Sequence, residues 1–317
     1  MADDLAESTH AMTCMEIWGG NRATSKTVTL PGLNAWVYSR PYQQAESGGD
    51  VYYVSNCATG RITRLLLADV SGHGSAVAST ANSLRLLMRR YVNHFQQVKF
   101  VSAMNDEFVA LNKSGGFATA VVATYLAQNR RLKFSNAGHP YPLIYSSRER
   151  RWRNLETLRD NHVVGPQDLP LGILEEGVYA ETELKLDVGD MVLFHTDAFI
   201  ESRNDGGELL GSDAFLKLVS EIDSSDAETL LDRIVNKVTS IYPGNLTNDD
   251  VTLLLFRSMA PSYQIPITTR ILAPFRFFGG LAQAVLSGGR GMPLPEISFA
   301  NLIGEKVTPE EQARQHS

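Results

Sequence analysis

Four places in the chain put a carboxylate at the end of an apolar run or beside a turn, next to small residues. Asp50 follows two glycines, Asp69 closes the run LLLA, Asp197 closes MVLFHT, and Asp249 and Asp250 precede VTLLLF. Carboxylates rarely lie beside buried strands without a cation to offset their desolvation, and several converging carboxylates repel one another. A divalent cation removes both problems, and oxygen-only ligands favour Mg²⁺ or Mn²⁺. The pattern predicts a metal site, provided that the fold brings these positions together.

Each of these positions also has a purely structural interpretation. After a Gly-Gly pair Asp50 is typical of a turn, Asp197 is in a position to cap the turn after its strand, and NLTNDD resembles an ordinary loop. The segment SGHG, residues 71–74, is compatible with a plain strand-to-helix turn. A dinucleotide-binding loop is disfavoured, because Val77 stands where the third glycine of G-x-G-x-x-G belongs.

The elements that must position these carboxylates are strands and helices in separate blocks. Apolar runs predict strands at 34–41, 50–57, 61–69 and 250–256, with two more around the turn DVGD. Short polar turns between 117 and 155 predict a single antiparallel meander. Apolar residues that recur every three to four positions predict helices from Ser75 onwards and near 100–113, 212–221 and 226–241. Because these blocks are clustered and do not alternate, an α+β fold is favoured over a doubly wound α/β fold.

Composition divides the chain into three parts. Residues 1–30 form a short polar N-terminal segment, 31–257 hold the dense run of predicted elements, and 258–317 form a C-terminal appendage. From 258 to 290 there are three arginines and no acidic residue. The apolar stretch 270–288 is interpreted either as packing across the main domain or as a peripheral contact with a partner or a membrane surface.

Bulk composition narrows the class of protein. The chain has 317 residues, 43% hydrophobic and 20% charged, with a net charge of −6. These values are typical of a globular protein and disfavour nucleic acid as the main partner. The two cysteines have no metal-binding spacing and are consistent with a reducing compartment. With neither a signal peptide nor a convincing transmembrane span in the sequence, we expect a cytoplasmic protein.

Seven segments occur in an order that is itself specific. They are SGGDVYYV (47–54), LLLADVSGHG (65–74), FATAVVATY (117–125), KFSNAGHPYPLIY (133–145), LPLGI (169–173), DVGDMVLFHTDAFIES (187–202) and DDVTLLLF (249–256). Together they resemble the bacterial SpoIIE/RsbU-type protein serine phosphatases, a branch of the metal-dependent PP2C class. The resemblance covers about residues 34–257. It implies an α-β-β-α sandwich, in which two antiparallel sheets pack face to face between helices.

The resemblance also implies a metal-binding role for five residues. Asp50 is at the ligand position of the GGD segment, Asp69 matches the carboxylate that bridges two ions, and the backbone carbonyl of Val70 would bind one of them. Asp197 matches the aspartate of the T-D-G segment, and Asp249 the first residue of D-[DN]-x-T. The implied cofactor is two Mn²⁺ or Mg²⁺ ions. The implied activity is hydrolysis of phosphoserine or phosphothreonine in a protein by a metal-activated water.

Three positions depart from the family's pattern. Tyr53 stands where many relatives have the second aspartate of GGDxYD, Ala198 replaces the glycine of T-D-G, and Ser71 replaces the histidine that animal PP2C enzymes are thought to use as general acid. No acid role is therefore transferred to a neighbouring histidine. The nearby histidines are interpreted as structural or supporting residues: His73, His139 and His195.

The implied partner is a phosphorylated protein. Relatives of this kind usually dephosphorylate an anti-sigma-factor antagonist in a bacterial partner-switching pathway. The main alternative is a non-catalytic module that binds a phosphoprotein on the same fold. The four aspartates argue against that alternative, while Tyr53 and Ala198 leave it open. An enzyme that acts on a small phosphorylated metabolite would share the two-metal mechanism and is also left open.

Overall fold

The computed structural model describes residues 10–11, 17–56, 61–72, 77–92, 94, 96–111, 116–158 and 167–260. Strand pairing divides the strands of this part of the chain between two sheets, numbered here in chain order. Sheet A has the order β1 (His10–Ala11), β3 (Thr24–Leu30), β4 (Leu33–Arg40), β13 (Val251–Ser258), β12 (Met191–His195), β9 (Leu143–Ser146) and β10 (Arg151–Asn154). Sheet B has the order β11 (Thr182–Lys185), β8 (Arg131–Ala137), β7 (Ala118–Leu126), β6 (Ile62–Val70), β5 (Asp50–Asn56) and β2 (Ile17–Gly20).

Four helices flank the sheets in the described residues. They are α1 (Ala78–Arg90), α2 (Gln97–Leu111), α3 (Gly211–Ser220) and α4 (Leu230–Ile241). Short 3₁₀ turns occupy Tyr42–Gln44, Leu155–Leu158 and Asp197–Phe199. All strand pairs are antiparallel except the two-residue β1, which pairs parallel with β3. The structure confirms the predicted α+β sandwich.

Three apolar layers hold this arrangement together. One lies between the sheets, one lies between sheet A and the α3–α4 pair, and one lies between sheet B and the α1–α2 pair. The place of strand β6 between two apolar layers explains its continuous apolar run LLLA. Leu65 and Leu67 belong to the layer between the sheets, whereas Leu66 and Ala68 face α1 and α2. Because side chains alternate along a strand, burial on both faces requires an uninterrupted apolar sequence.

The prediction of one meander over 117–155 is wrong. β7 pairs with β8 in sheet B, but β9 pairs with β10 in sheet A, so the chain crosses between the sheets after Ala137. The crossing contains Gly138, whose φ is +68° and whose added Cβ would lie 2.6 Å from Pro170 Cγ. Apolar alternation predicts strands with one inward face, but it does not tell which of two sheets each strand joins.

The N-terminal part of the chain contributes to both sheets. β2 is an edge strand of sheet B and β3 is paired along β4 in sheet A, so regular structure begins before the predicted boundary at residue 31. None of the described helices is long and apolar enough to cross a membrane. Of the predicted appendage, residues 261–317 lie outside the described residues, and so does the stretch 270–288.

Candidate functional site

Asp50 and Asp69 lie side by side at one end of sheet B. Asp50 is the first residue of β5 and pairs directly with Asp69, the penultimate residue of β6. Tyr52 and Leu67, two positions away from each, belong to the layer between the sheets. Since side chains two apart share a face, both carboxylates are directed to the space between the sheets, where this apolar layer ends.

The two glycines before Asp50 allow other chain segments to approach closely. A Cβ on Gly48 would lie 2.6 Å from Cγ of Asp250, and one on Gly49 would lie 3.0 Å from the carbonyl oxygen of Val70. Both distances are shorter than ordinary van der Waals contact, so a larger residue at either position would push its neighbour away. The predicted ligand carbonyl, that of Val70, is thus held beside the turn that leads into Asp50.

Burial and neighbouring carboxylates raise the pKa of Asp69 to about 8. Desolvation is the largest cause, and the charges of Asp197, Asp249 and Asp250 add to it. Asp197 begins the 3₁₀ turn after β12, and its own pKa is raised by burial and then by the charge of Glu201. Strands from both sheets therefore deliver their carboxylates to one end of the sandwich.

Asp50 is almost completely buried, with 3% of its surface exposed. Its pKa is raised well above the ordinary range, first by desolvation and then by the charges of Asp69, Asp250 and Asp197, while hydrogen bonding to Thr252 opposes the rise. Its Oδ2 atom is buried and has no hydrogen-bond partner among the described residues. An unpaired buried carboxylate oxygen is costly, and a bound cation is one way to satisfy it.

Asp250 has a function that its sequence position did not reveal. It is 2% exposed, and its Oδ1 and Oδ2 accept hydrogen bonds from the backbone amides of Tyr42 and Gly49, each at 2.6 Å. Asp249 is half-buried, and its Oδ1 accepts the amide of Asp250 at 2.8 Å. The two adjacent acids therefore differ in burial and in hydrogen-bond partners, a difference that their adjacent positions in the sequence do not indicate.

Glu201 also belongs to this electrostatic group, and the sequence did not single it out. Its side chain is exposed, its charge raises the pKa of both Asp69 and Asp197, and its amide donates to the carbonyl of Asp197 at 2.8 Å. It lies one turn beyond Asp197 in DAFIE, a spacing that brings two side chains to the same side of a helical turn. That spacing was its only signal.

The histidines near the site are packed into the fold. The ring of His195 is in edge contact with Phe215 at 4.7 Å between centroids, and burial lowers its pKa to about 4. His139 lies in the crossing between the sheets, where its Nδ1 pairs with Thr119 Oγ1 at 2.9 Å. The side chain of Asn136 binds both the backbone amide and the backbone carbonyl of His139. His73 lies outside the described residues.

The donor chemistry fits a hard divalent cation. The converging groups are carboxylates and one backbone carbonyl, and Asp50 presents a buried oxygen for which the described residues supply no donor. In the described part of the chain, the side chains as they stand form no group of three or more His, Cys, Asp or Glu residues that could hold a metal ion.

A family model, that of stage II sporulation protein E (SpoIIE), matches residues 59–258, which is more than half of the chain. The chain belongs to the SpoIIE family. The matched range includes Asp69, Asp197 and Asp249 and begins after Asp50. The family agrees with the resemblance that the ordered sequence segments suggested.

Among curated proteins, phosphoserine phosphatase RsbU of Bacillus subtilis is 24% identical over 197 residues. The alignment spans 61% of this chain and 55% of RsbU, so the chain spans about half the length of that relative. Among solved structures, the RsbU and RsbW domains of Rv1364c from Mycobacterium tuberculosis match with a TM-score of 0.59 and 24% identity, covering 83% of this chain and 71% of that one. The catalytic domain of the serine/threonine phosphatase PstP, in complex with two manganese ions, matches with a TM-score of 0.50 and 16% identity. That match covers 72% of this chain and 99% of the PstP domain. These structures share the fold.

Two departures of this SpoIIE-family chain do not intrude on the carboxylate group. Tyr53 belongs to the apolar layer between sheet B and the α1–α2 pair, so it lies on the opposite face from Asp50. Its hydroxyl is buried without a well-formed hydrogen bond among the described residues, although interaction with the Ser55 side chain opposes the rise that burial causes in its pKa. Ala198 packs in the layer between sheet A and α3–α4, and its backbone is outside the left-handed region. A methyl group is therefore accommodated next to Asp197.

Proposed function

We propose that this protein is a metal-dependent phosphatase that hydrolyses phosphoserine or phosphothreonine in a partner protein. The observation that carries the proposal is the direct pairing of Asp50 with Asp69, two desolvated carboxylates with raised pKa values and an unpaired buried oxygen. Membership of the SpoIIE family and the phosphatase names of its relatives support the same activity. The manganese ions of the PstP complex support Mn²⁺ as cofactor, and the oxygen-only donors suit Mg²⁺ as well.

The proposed ligands are Asp50, Asp69, Asp197, Asp249 and the carbonyl of Val70. When bound, two divalent ions supply the Lewis acidity that activates water for in-line attack on phosphorus. Asp50 and Asp69 contribute from sheet B, while Asp197 and Asp249 contribute from the ends of the loops that adjoin β12 and β13. The protein's share of the chemistry is to hold these oxygens together at one end of the sandwich.

For the partner, we propose a phosphorylated anti-sigma-factor antagonist in a partner-switching pathway. The relative named phosphoserine phosphatase RsbU and the RsbU–RsbW domain structure support this assignment. The test is release of inorganic phosphate from a phosphoserine-bearing antagonist protein in Mn²⁺, in Mg²⁺ and in EDTA. We expect release only with metal, and none from an Asp69→Asn variant that is folded.

The same assay distinguishes a phosphatase from the alternative, a non-catalytic module that binds a phosphoprotein. A protein that binds the phosphorylated antagonist without releasing phosphate in any metal would be such a module. Tyr53 and Ala198, which left this alternative open at the level of sequence, both lie in apolar layers and leave the carboxylates unblocked. Their positions therefore favour catalysis.

A further inference from the structure

The connection between β4 and β5 carries the chain from sheet A to sheet B and ends at Asp50. It runs from Pro41 to Gly49 and contains the 3₁₀ turn Tyr42–Gln44 and the two glycines. Asp50 therefore follows a loop, and β5 alone does not fix where its carboxylate lies relative to sheet A. A further contact is therefore needed to fix the position of this loop relative to sheet A.

The side chain of Asp250, just before β13 of sheet A, binds both ends of this loop. Its Oδ1 accepts the amide of Tyr42, at the start, and its Oδ2 accepts the amide of Gly49, at the end, each at 2.6 Å. Hydrogen bonds between an ionised carboxylate and amides are shorter and stronger than neutral ones, and burial strengthens them further. One side chain at the entrance to β13 thus fixes both ends of the loop that delivers Asp50.

The glycine pair is shaped to receive this carboxylate. Gly48 has no space for a Cβ, because the carboxylate of Asp250 occupies that place. Gly48 is held from its other side by Asn21, whose backbone carbonyl accepts the amide of Gly48 at 2.8 Å and whose Nδ2 donates to the carbonyl of Gly48 at 3.0 Å. The loop is therefore built around the Asp250 side chain.

We infer that Asp250 is a positioning residue for the metal centre: by binding the amides of Tyr42 and Gly49 it fixes the separation between Asp50 and Asp249. Each of these two proposed ligands is the chain neighbour of one of the bonded groups, Asp50 of Gly49 and Asp249 of Asp250. Losing the link leaves all ligands present but frees their spacing, which weakens ion binding. The inference rests on the proposed function, since it concerns the same centre.

Asp190 offers a matched control at the far end of the strands. It is also buried, at 7% exposure, and its Oδ1 and Oδ2 accept the backbone amides of Ser147 and Asp187 at 2.8 and 2.7 Å. It lies at the entrance to β12, where its carbonyl accepts the amide of Ser258 in β13, eight residues along the chain from Asp250. Replacing Asp190 removes a similar pair of hydrogen bonds without touching the loop before Asp50.

The experiment measures Mn²⁺ affinity by isothermal titration calorimetry and thermal unfolding in EDTA, on the full chain and on Asp250→Ala, Asp250→Asn and Asp190→Ala. We expect both alanine variants to unfold at lower temperature, but only Asp250→Ala to bind Mn²⁺ more weakly, by about 10- to 100-fold, as for other groups that orient metal ligands. Asparagine keeps one acceptor oxygen and nearly the same volume, so Asp250→Asn should fold. Its Mn²⁺ affinity should lie between those of wild type and Asp250→Ala.

Two results would overturn the inference. One is unchanged Mn²⁺ affinity in a folded Asp250→Asn and Asp250→Ala. The other is an equal loss of affinity in Asp190→Ala, which would make the effect a consequence of stability alone. Failure of the proposed function looks different, because the wild-type protein itself would then bind no Mn²⁺ and no phosphatase activity would accompany any variant.

Discussion

Asp50 and Asp69 face each other across neighbouring antiparallel strands, with their carboxylates on the same face of sheet B. Burial is the largest cause of the raised pKa of both acids; the charge of Asp69 adds to it at Asp50, and the charges of Asp197 and Asp249 add to it at Asp69. A fold that keeps such a pair needs a compensating cation. The same feature that would support catalysis should therefore weaken the metal-free protein.

Removing one charge should stabilise the metal-free protein. In EDTA at neutral pH we expect Asp69→Asn to raise the free energy of unfolding by about 1–2 kcal/mol. With its pKa raised to about 8, Asp69 must take up a proton when the metal-free chain folds at neutral pH, and asparagine, of nearly the same volume, avoids that cost. The same variant should lose the stabilisation that wild type gains from Mn²⁺. Thermal unfolding of both proteins with EDTA and with Mn²⁺ measures both effects. A variant that is less stable than wild type in EDTA and is still stabilised by Mn²⁺ would contradict this prediction.

The neutral state of His139 should make folding sensitive to acid. Burial, followed by the charge of His195, lowers the pKa of His139 to about 3, well below its ordinary value of 6.5. The unfolded chain therefore takes up a proton that the folded protein rejects, so the stability contribution is complete above pH 6.5 and falls as the pH decreases towards 3. Relative to a His139→Gln variant, wild type should lose about 1.4 kcal/mol per pH unit below pH 6. Urea unfolding of both proteins from pH 4.5 to 7.5 measures the difference, and parallel pH profiles would refute it.

The crossing between the sheets depends on a glycine. Gly138→Ala places a Cβ against Pro170 on a backbone with φ of +68°, so it combines a clash with backbone strain. We expect a loss of about 2–4 kcal/mol. Gly207→Ala is the control, because Gly207 also has a positive φ, of +82°, but nothing lies within 4 Å of its added Cβ. That variant should lose only about 1–2 kcal/mol. Equal losses in chemical unfolding would mean that the contact with Pro170 is not tight.

Tyr53 should be replaceable by phenylalanine. Its hydroxyl is buried without a well-formed hydrogen bond among the described residues, on the face of sheet B away from Asp50. Tyr53→Phe should leave the free energy of unfolding unchanged or raise it by up to about 1 kcal/mol, and phosphatase activity should stay within about twofold. The measurement is chemical unfolding together with initial rates. A tenfold loss of activity would show that the hydroxyl takes part in the function.

The strands that carry the four carboxylates could be predicted because each is marked by local sequence. Apolar runs mark β4, β5, β6 and β13, and the ordered segments mark the family. The assignment of β9 and β10 to sheet A could not be predicted, because it depends on contacts across the sandwich and not on the period of the strand.

The different contacts of Asp249 and Asp250 also could not be predicted from the sequence. In the sequence they are two adjacent acids before a strand, and the family pattern distinguishes only the first. What separates them is a pair of amides, those of Tyr42 and Gly49, about two hundred positions earlier in the chain. Long-range hydrogen bonds of this kind leave no mark on local composition.

The central claim is a metal-dependent phosphatase centre that uses these carboxylates, and its most direct test is hydrolysis of p-nitrophenyl phosphate. Wild type, Asp69→Ala, Asp249→Ala and the exposed control Asp223→Ala would be assayed with Mn²⁺, with Mg²⁺ and with EDTA. We predict turnover in wild type and in Asp223→Ala only when metal is present. In Asp69→Ala and Asp249→Ala the turnover rate should fall by at least about 100-fold, because even the loss of groups that only orient metal ligands can reduce activity by that much. Turnover in EDTA, or full activity in a folded Asp69→Ala, would contradict the account.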